Sequence, residues 1–147
     1  MTDASRAVGE KISVSGWVHS RRDHGGLIFI DVRDHTGILQ LVINPETPEA
    51  FAIAEELRDE FVIRVEGTVR ERDDSLKNDK IPTGGIELAV EGLTILNRAE
   101  ALPIQPFAEA QSSEDLRFKY RYLDLRRPKI QDMLKKRAEM YRRVHEY

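Results

Sequence analysis

Five runs of alternating apolar and polar residues, interrupted once by a helical segment, constrain the fold of this chain more than any other feature of its sequence. A period of two residues is typical of β-strands that bury one face and leave the other in solvent. Segments rich in glycine and other turn-forming residues separate most of the runs. The runs occupy the ranges 11–20, 27–33, 38–44, 61–69 and 86–90.

The segment between the third and fourth runs has the pattern of a short helix. Thr47 followed by Pro48 is typical of a helix start, and Phe51, Ala54 and Leu57 recur at helical spacing. Three strands, a helix and two more strands are the order of the OB-fold, a small, partly open barrel that commonly binds oligonucleotides. We therefore predict a mainly β domain over residues 1–99, a five-stranded OB-fold barrel with a helix between strands 3 and 4.

A proline-punctuated stretch and two helical segments follow the predicted barrel. Residues 102–106 suit an extended linker, and Ser113 resembles a helix start, so we predict a helical hinge over 100–128. After Pro128 we predict a C-terminal helix that opens a second domain over 129–147. Its apolar stripe needs a covering partner, either another subunit or absent sequence, so we expect the chain to be truncated. The stripe consists of Ile130, Met133, Leu134, Ala138, Tyr141 and Val144.

Charge and composition argue against several classes of function. Residues 1–115 carry 12 Lys and Arg against 22 Asp and Glu, whereas residues 116–147 carry 11 against 4. An acidic body is atypical of a non-specific nucleic-acid binder. The absence of cysteine and of paired histidine spacing predicts no metal site, and no catalytic motif is present. Without a leader or a membrane-length apolar run, we expect a soluble, cytoplasmic protein with no membrane partner.

Alternation places Phe29 on the outer face of the second strand, together with Asp31 and Arg33. An aromatic ring among charges on a sheet surface can receive an unstacked base. The alternative is ordinary cross-strand packing, to which aromatic residues are well suited.

Polar residues predicted near Phe29 favour the first interpretation. Gln40 lies outside the apolar set of the third strand, and Glu87 alternates out of phase with its apolar neighbours. We place Arg21 and Arg22 in the first hairpin loop, where guanidinium groups can contact a base or a phosphate. Each of these residues taken alone is an ordinary solvated side chain, but together they suit sequence-specific reading of single-stranded RNA.

Two segments of the chain resemble one enzyme family. Residues 16–34, GWVHSRRDHGGLIFIDVRD, closely resemble the first two strands of bacterial-type, class II aspartyl-tRNA synthetases. Residues 121–128, RYLDLRRP, resemble that family's signature between its hinge and its first catalytic helix. The resemblance extends over essentially residues 11–147 and implies the same OB-fold, hinge and helix order.

The resemblance also implies roles for individual residues. Phe29 would stack on the central anticodon base, Gln40 and Arg22 would hydrogen-bond around it, and Glu87 would help to identify a neighbouring base. Arg21 accompanies Arg22, and the matching loop contributes two weaker candidates, Asn78 and Thr83. The pair His24 and Gly85 resembles that of relaxed enzymes that charge both tRNA(Asp) and tRNA(Asn).

Intact members of that family attach aspartate to tRNA with ATP and Mg²⁺ and work as homodimers. Their catalytic motifs lie beyond Tyr147, so we expect this stretch alone to be inactive and to need no cofactor. Two other interpretations remain open. One is a generic module that binds single-stranded nucleic acid, and the other is a protein-interaction module anchored by Phe29.

Overall fold

The computed structural model describes residues 1–79, 81–108 and 112–147, without the side chain of Thr2. These residues form two compact units, Met1–Ala99 and Glu100–Tyr147. Lys80, in the loop predicted before the fifth strand, and residues 109–111 of the predicted hinge lie outside the described residues.

The first unit is a β-barrel of five strands in the order β1-β2-β3-β5-β4, closed by pairing between β4 and β1. A helix, α1 (Pro48–Glu56), joins β3 to β4, so the predicted OB-fold order is confirmed. Short 3-10 turns lie at Thr2–Arg6 and Asp74–Leu76. The strands are β1 (Lys11–His24), β2 (Leu27–Arg33), β3 (Ile38–Ile43), β4 (Val62–Glu71) and β5 (Ile86–Asn97).

The predicted alternation accounts for the core of the barrel. Ile28, Ile30 and Val32 of β2 are at most 2% exposed, and Leu41 and Leu88 from neighbouring strands are fully buried beside them. Successive side chains on a strand point to opposite faces, so the residues between these positions face outward. Burial of the branched apolar side chains is the main favourable contribution to folding of this unit.

The first hairpin differs from its prediction. β1 continues through Arg21 and Arg22 to His24, which pairs with Leu27 of β2. The chain reverses at Gly25-Gly26 alone, where φ is 61° and 81°. Glycine adopts these left-handed conformations without steric cost, so two residues suffice for the turn. The hairpin loop was predicted over residues 21–26, and that prediction was wrong for residues 21–24, which belong to β1.

Arg33 also lies elsewhere than expected. It is 5% exposed rather than on the outer face, and its guanidinium forms a buried ion pair with Glu60. It also donates a hydrogen bond of 3.4 Å to the carbonyl oxygen of Val18. A charge inside a protein needs a partner, and the sequence could not reveal one that is 27 positions away.

β4 and β5 form the longest ladder of the barrel, and Gly67 lies beside a register shift of this ladder, close to the backbone of β5. A Cβ at this position would stand 2.1 Å from the carbonyl oxygen of Ala89. Because the opposing atom belongs to backbone, it cannot rotate away as a side chain could.

The second unit contains three helices, α2 (Glu114–Lys119), α3 (Arg121–Asp124) and α4 (Pro128–Glu146). The helix starts predicted near Ser113 and Pro128 are confirmed. Asp124 is fully buried and accepts hydrogen bonds from Arg117 Nε at 2.9 Å and Arg121 Nη1 at 2.6 Å. The hydrogen bond from Arg117 lowers the pKa of Asp124, although burial opposes this shift.

The apolar stripe predicted on α4 is present and open to solvent. Met133 and Tyr141 are 54% and 46% exposed, and none of the residues of α4 is buried. Such a stripe is typical of a helix that packs against another surface. No helix in the described part of the chain has the length and apolar content that crossing a membrane requires.

We expect Gly67→Ala to lower the free energy of unfolding by about 1–3 kcal/mol, because the methyl group overlaps the backbone of β5. Urea titration would measure the change. Gly92→Ala is the matched control, since the nearest atom to its added Cβ lies 4.0 Å away. Equal stabilities for the two variants would contradict this account of the ladder.

Candidate functional site

A shallow cavity of about 690 Å³ lies on the outer face of the barrel. Side chains from β1, β2, β3 and β5 line it, together with residues of the segment 72–85. Six of the residues predicted for the site meet here, although they are spread over more than sixty positions of the chain. They are Arg22, His24, Phe29, Gln40, Asn78 and Glu87.

Strand register aligns five outward-facing polar residues across the barrel. Antiparallel pairing places Ser20 opposite Asp31 and Asp31 opposite Gln40. The parallel pairing of Leu41 with Leu88 brings Gln40 beside Glu87, which is itself opposite Arg70. We call this line, Ser20, Asp31, Gln40, Glu87 and Arg70, the polar row.

Hydrogen bonds connect one end of the polar row to Arg22. Asp31 accepts from Ser20 Oγ at 2.8 Å, and from Arg22 Nη2 at 3.0 Å and 3.2 Å. Arg22 Nη2 also lies 3.4 Å from Gln40 Oε1. These contacts hold the guanidinium over the sheet, so its position is defined before any ligand arrives.

At the other end of the polar row, Glu87 accepts hydrogen bonds from both of its neighbours. Its carboxylate accepts from Arg70 Nε at 2.7 Å and from Gln40 Nε2 at 3.4 Å. We expected Glu87 on the outer face as an accessible carboxylate, but its side chain is only 11% exposed. A carboxylate with so little contact with water requires the arginine as counter-charge.

Phe29 stands next to the polar row, opposite Arg22 on β1 and Val42 on β3. Its side chain is half-buried and lines the cavity, so part of the ring remains accessible. Because the two neighbouring strands hold the ring, little side-chain entropy is lost when a flat group packs on it. The arrangement offers a rigid aromatic surface beside hydrogen-bonding groups of both polarities.

Arg21 does not take part in this arrangement with Arg22. It stands opposite Ile30, whose side chain is inside the barrel, and so it points away from the face that carries Phe29. Its guanidinium pairs with Asp23 at 2.9 Å and lies outside the set of residues that line the cavity.

Four residues between β4 and β5 form one wall of the cavity, namely Arg72, Leu76, Asn78 and Ile81. Thr83 is 1% exposed, and its hydroxyl donates to the carbonyl oxygen of Ile38, which ties the segment to the start of β3. Asn78 is exposed at the cavity, and its backbone N–H donates to Gly84 at 3.1 Å. The neighbouring Gly85 has no atom within 4 Å of where a Cβ would be. Thr83 can therefore contribute by holding this wall, and Asn78 by direct contact.

Sequence reasoning missed His19, which also lines the cavity. The register of β1 shifts between Val18 and Ser20, so His19 is the extra residue of a β-bulge. Bulges redirect a side chain without breaking the sheet. Burial and the charge of Arg33 lower the pKa of His19, so its imidazole is neutral at neutral pH.

Asp31 and Arg72 were missed as well. The sequence could have identified Asp31 as a site residue, since it occupies the next outward position after Phe29 in the alternation of β2. The sequence could not have identified Arg72, because this residue follows the last residue of β4 and resembles a solvated loop residue. Among the described residues there is no group of three or more histidines or carboxylates that could hold a metal ion.

The chain is similar to a protein-family model, to known sequences and to a solved structure. Residues 12–96 match the family model described as an OB-fold nucleic acid binding domain. An aspartate–tRNA ligase of Halalkalibacterium halodurans is 50% identical over 95% of the chain, and an aspartate–tRNA(Asp/Asn) ligase of a Ruegeria species is 48% identical over 93%. The chain spans about a quarter of the length of these relatives, 24% and 23% respectively.

A solved structure supports the same relationship. Asparaginyl-tRNA synthetase from Pyrococcus horikoshii, complexed with asparaginyl-adenylate, superposes with a TM-score of 0.81 at 31% sequence identity. The match covers 96% of this chain and 31% of that protein. The similarity therefore extends through both units and is not restricted to the barrel.

We expect Asp31→Asn to lower the free energy of unfolding by about 1 kcal/mol, because the neutral amide weakens the contacts with Arg22 and Ser20. Asp23→Asn removes an equal charge from the neighbouring strand β1, where the side chain is 60% exposed and pairs with Arg21. That control should change stability by less than about 0.5 kcal/mol. Chemical denaturation that ranks the two variants in the opposite order would rule out Asp31 as the centre of this network.

Proposed function

Because the chain belongs to the family of OB-fold nucleic-acid-binding domains, we propose that it reads the anticodon of tRNA(Asp). The observation that carries the proposal is that the accessible ring of Phe29 shares one cavity with Asp31, Gln40 and Glu87 of the polar row. Its sequence relatives named as aspartate–tRNA ligases support tRNA as the partner.

Recognition begins with a base that leaves the stack of the RNA loop and lies on Phe29. Base stacking on an aromatic side chain contributes about 1–3 kcal/mol per base. Gln40 then offers a donor and an acceptor to the edge of that base, and Arg22 offers donors only. Glu87 accepts a hydrogen bond from an amino or imino group of a neighbouring base, and Asn78 approaches from the wall of the cavity.

The charges around the cavity favour base edges over phosphates as the recognised groups. Arg22 and Arg70 are paired with the carboxylates of Asp31 and Glu87, so most of the positive charge is already neutralised. Phosphate binding, by contrast, relies on cations without such partners. Specific reading of bases is therefore compatible with the acidic body of the barrel, and bulk electrostatic binding is not.

We further propose that the site accepts tRNA(Asn) as well as tRNA(Asp), with His24 and Gly85 as the discriminating pair. Relatives at 48–50% identity include several named aspartate–tRNA(Asp/Asn) ligases. No atom lies within 4 Å of where a Cβ would be at Gly85, two positions before Glu87, and His24 lines the cavity at the end of β1.

The longer protein of which such a domain forms part is proposed to be an aspartate–tRNA ligase that uses ATP and Mg²⁺. In it, residues 1–99 would bind the anticodon, residues 100–128 would serve as the hinge, and residues 129–147 would begin the catalytic domain. The exposed stripe of α4 supports a homodimer in which Met133 and Tyr141 become covered. The protein is proposed to act in the cytoplasm, where aminoacylation takes place.

Replacing Phe29 by alanine should weaken binding of an anticodon stem-loop with the sequence GUC by about 1–3 kcal/mol. The loss arises because the extruded base no longer has a surface to stack on. Fluorescence anisotropy at one fixed salt concentration would measure the affinity.

Two substitutions at the same position separate stacking from packing. Phe29→Tyr keeps the ring and should bind nearly as well as the parent, whereas Phe29→Leu keeps apolar bulk and should resemble the alanine variant. Unchanged affinity in Phe29→Ala, or an equal loss in the tyrosine variant, would exclude stacking on this ring.

A panel of stem-loops with the anticodons GUC, GUU and UUU tests the specificity of the domain. We expect GUC and GUU to bind more tightly than UUU at the same salt concentration. Preference for GUC alone would show a strict aspartyl reader. Equal binding of all three would indicate a generic single-strand binder, and no binding at all would favour a protein-interaction module.

Gly85→Gln should change the ratio of the GUC and GUU affinities, because the added side chain meets no atom within 4 Å and Gly85 lies two positions before Glu87, which lines the cavity. Gly92→Gln on the same strand is the control, and it should leave the ratio as it is. If both variants retain the parental ratio, Gly85 has no part in discrimination.

A further inference from the structure

A second cavity of the barrel, of about 290 Å³, lies between helix α1 and the outer sides of β4 and β5. None of its lining residues also lines the cavity around Phe29. We call it the helix groove. The residues that determine its chemistry are Glu49, Ala50, Arg64, Glu66, Gly92 and Leu93.

An irregularity in the ladder between β4 and β5 opens the helix groove. Glu66 stands opposite Gly92 and Gly67 stands opposite Val90, so Glu91 is an extra residue on β5. Gly92 has no side chain, and the nearest atom to an added Cβ would be Cβ of Glu66 at 4.0 Å. The space beside this pair of residues therefore stays open to a ligand.

The helix groove combines an apolar lining with charges that the protein itself does not neutralise. Ala50 and Leu93 are 3% and 7% exposed and supply apolar surface. Glu49, Arg64 and Glu66 are exposed. Among the described residues, none of these three side chains has a partner in an ion pair or hydrogen bond. All three are therefore available to a ligand that enters the groove.

Glu91, at the edge of the helix groove, is already satisfied. Its carboxylate accepts hydrogen bonds from Lys11 Nζ at 2.8 Å and from Thr68 Oγ1 at 2.9 Å. The hydrogen bond from Lys11 lowers the pKa of Glu91, so its charge is held by the barrel. The charges left for a ligand are therefore one guanidinium and two carboxylates.

This combination of charges identifies the class of ligand. Nucleic acid is disfavoured, because two carboxylates without counter-charges repel a phosphate. A ligand with positive charge alone, such as a polyamine, is repelled by Arg64 and leaves it unpaired. A polypeptide can present an acidic and a basic side chain together. The stem of an arginine can also pack on apolar surface while its charged head reaches a carboxylate.

The spacing of the charges on β4 specifies the ligand further. Arg64 and Glu66 are two positions apart and both point outward, so about 7 Å of strand separates them. Any extended polypeptide presents alternate side chains at the same spacing. An acidic residue and an arginine two positions apart therefore meet Arg64 and Glu66 simultaneously.

We propose that the helix groove binds an extended segment of a partner protein in which an acidic residue and an arginine are two positions apart. The acid of the segment pairs with Arg64, and its arginine pairs with Glu66 and with Glu49 across the groove. The arginine stem packs on Ala50 and Leu93. Exposed ion pairs contribute little by themselves, so this apolar contact is part of the recognition. The proposal goes beyond anticodon recognition and does not depend on it.

Two peptides test the proposal on the parent protein. NMR of backbone amides would follow titration of the 147-residue chain with acetyl-Asp-Leu-Arg-amide. We expect saturable shifts concentrated at residues 64–66 and 92–94. The control peptide carries citrulline, which has the shape of arginine without its charge. It should bind about tenfold more weakly, the loss typical of a hydrogen bond to a charged group.

Two substitutions locate the binding in the helix groove. Gly92→Gln places a side chain beside Glu66 without a steric conflict and should abolish the shifts. Glu66→Gln should weaken binding of the arginine peptide about tenfold, because the carboxylate that pairs with arginine is lost. Glu71→Gln is the matched control, since Glu71 is exposed on the same strand but does not line the groove. It should bind as the parent does.

Several results would overturn the proposal. Equal affinity for the arginine and citrulline peptides would do so on the parent protein alone, without any variant having to fold. Unchanged shifts in Gly92→Gln, or shifts spread over the whole acidic barrel, would show non-specific attraction. Shifts at residues 64–66 and 92–94 when the chain alone is concentrated would assign the groove to a second copy. The same shifts with the UUU stem-loop would assign it to nucleic acid.

Discussion

The short parallel pairing between β3 and β5 is the contact on which the first unit and its candidate site depend. Its register consists of Leu41 with Leu88 and Val42 with Ala89, whereas all other neighbouring strands of the barrel are antiparallel. Closing the sheet here removes free strand edges and buries both leucines. The same pairing brings Gln40 beside Glu87, 47 positions later in the chain. Without it the polar row would be two separate clusters.

The polar row is largely self-satisfied before any ligand binds. Asp31 holds Arg22, and Arg70 holds Glu87, so each charge has a partner and few groups need to reorganise. This arrangement has an energetic consequence for recognition. A ligand must replace existing hydrogen bonds with equally good ones, and a base with mismatched donors and acceptors leaves a polar group unsatisfied. In such a site, selectivity arises mainly because a mismatched base loses binding free energy by leaving a polar group without a hydrogen bond. The hydrogen bonds of the matching base contribute less to selectivity, since they only replace existing ones.

Much of the barrel could be predicted from alternation, because one face of β2 and β3 carries the buried apolar residues Ile28, Ile30, Val32, Leu39, Leu41 and Ile43. The end of β1 could not, because Arg21 to His24 are polar on both faces and show no period. Burial of Arg33 was equally hidden, since its partner Glu60 lies in a turn far along the chain. The bulge at His19 depends on the register with β2, which no local pattern records. Each of these differences concerns a polar residue whose position is set by a partner distant in sequence.

The sequence by itself determined which faces of the strands are apolar, where the helices begin, and that Phe29 and Gln40 point outward. These features follow from the covalent geometry of the chain, since a strand repeats every two residues and a helix every 3.6. Only the tertiary structure decided which outward residues meet. It separated Arg21 from Arg22, placed Glu87 between Gln40 and Arg70, and left a nitrogen of Arg72 unpaired at the cavity. Closure of the barrel is the physical reason, because it brings together residues whose separation in sequence carries no periodic signal.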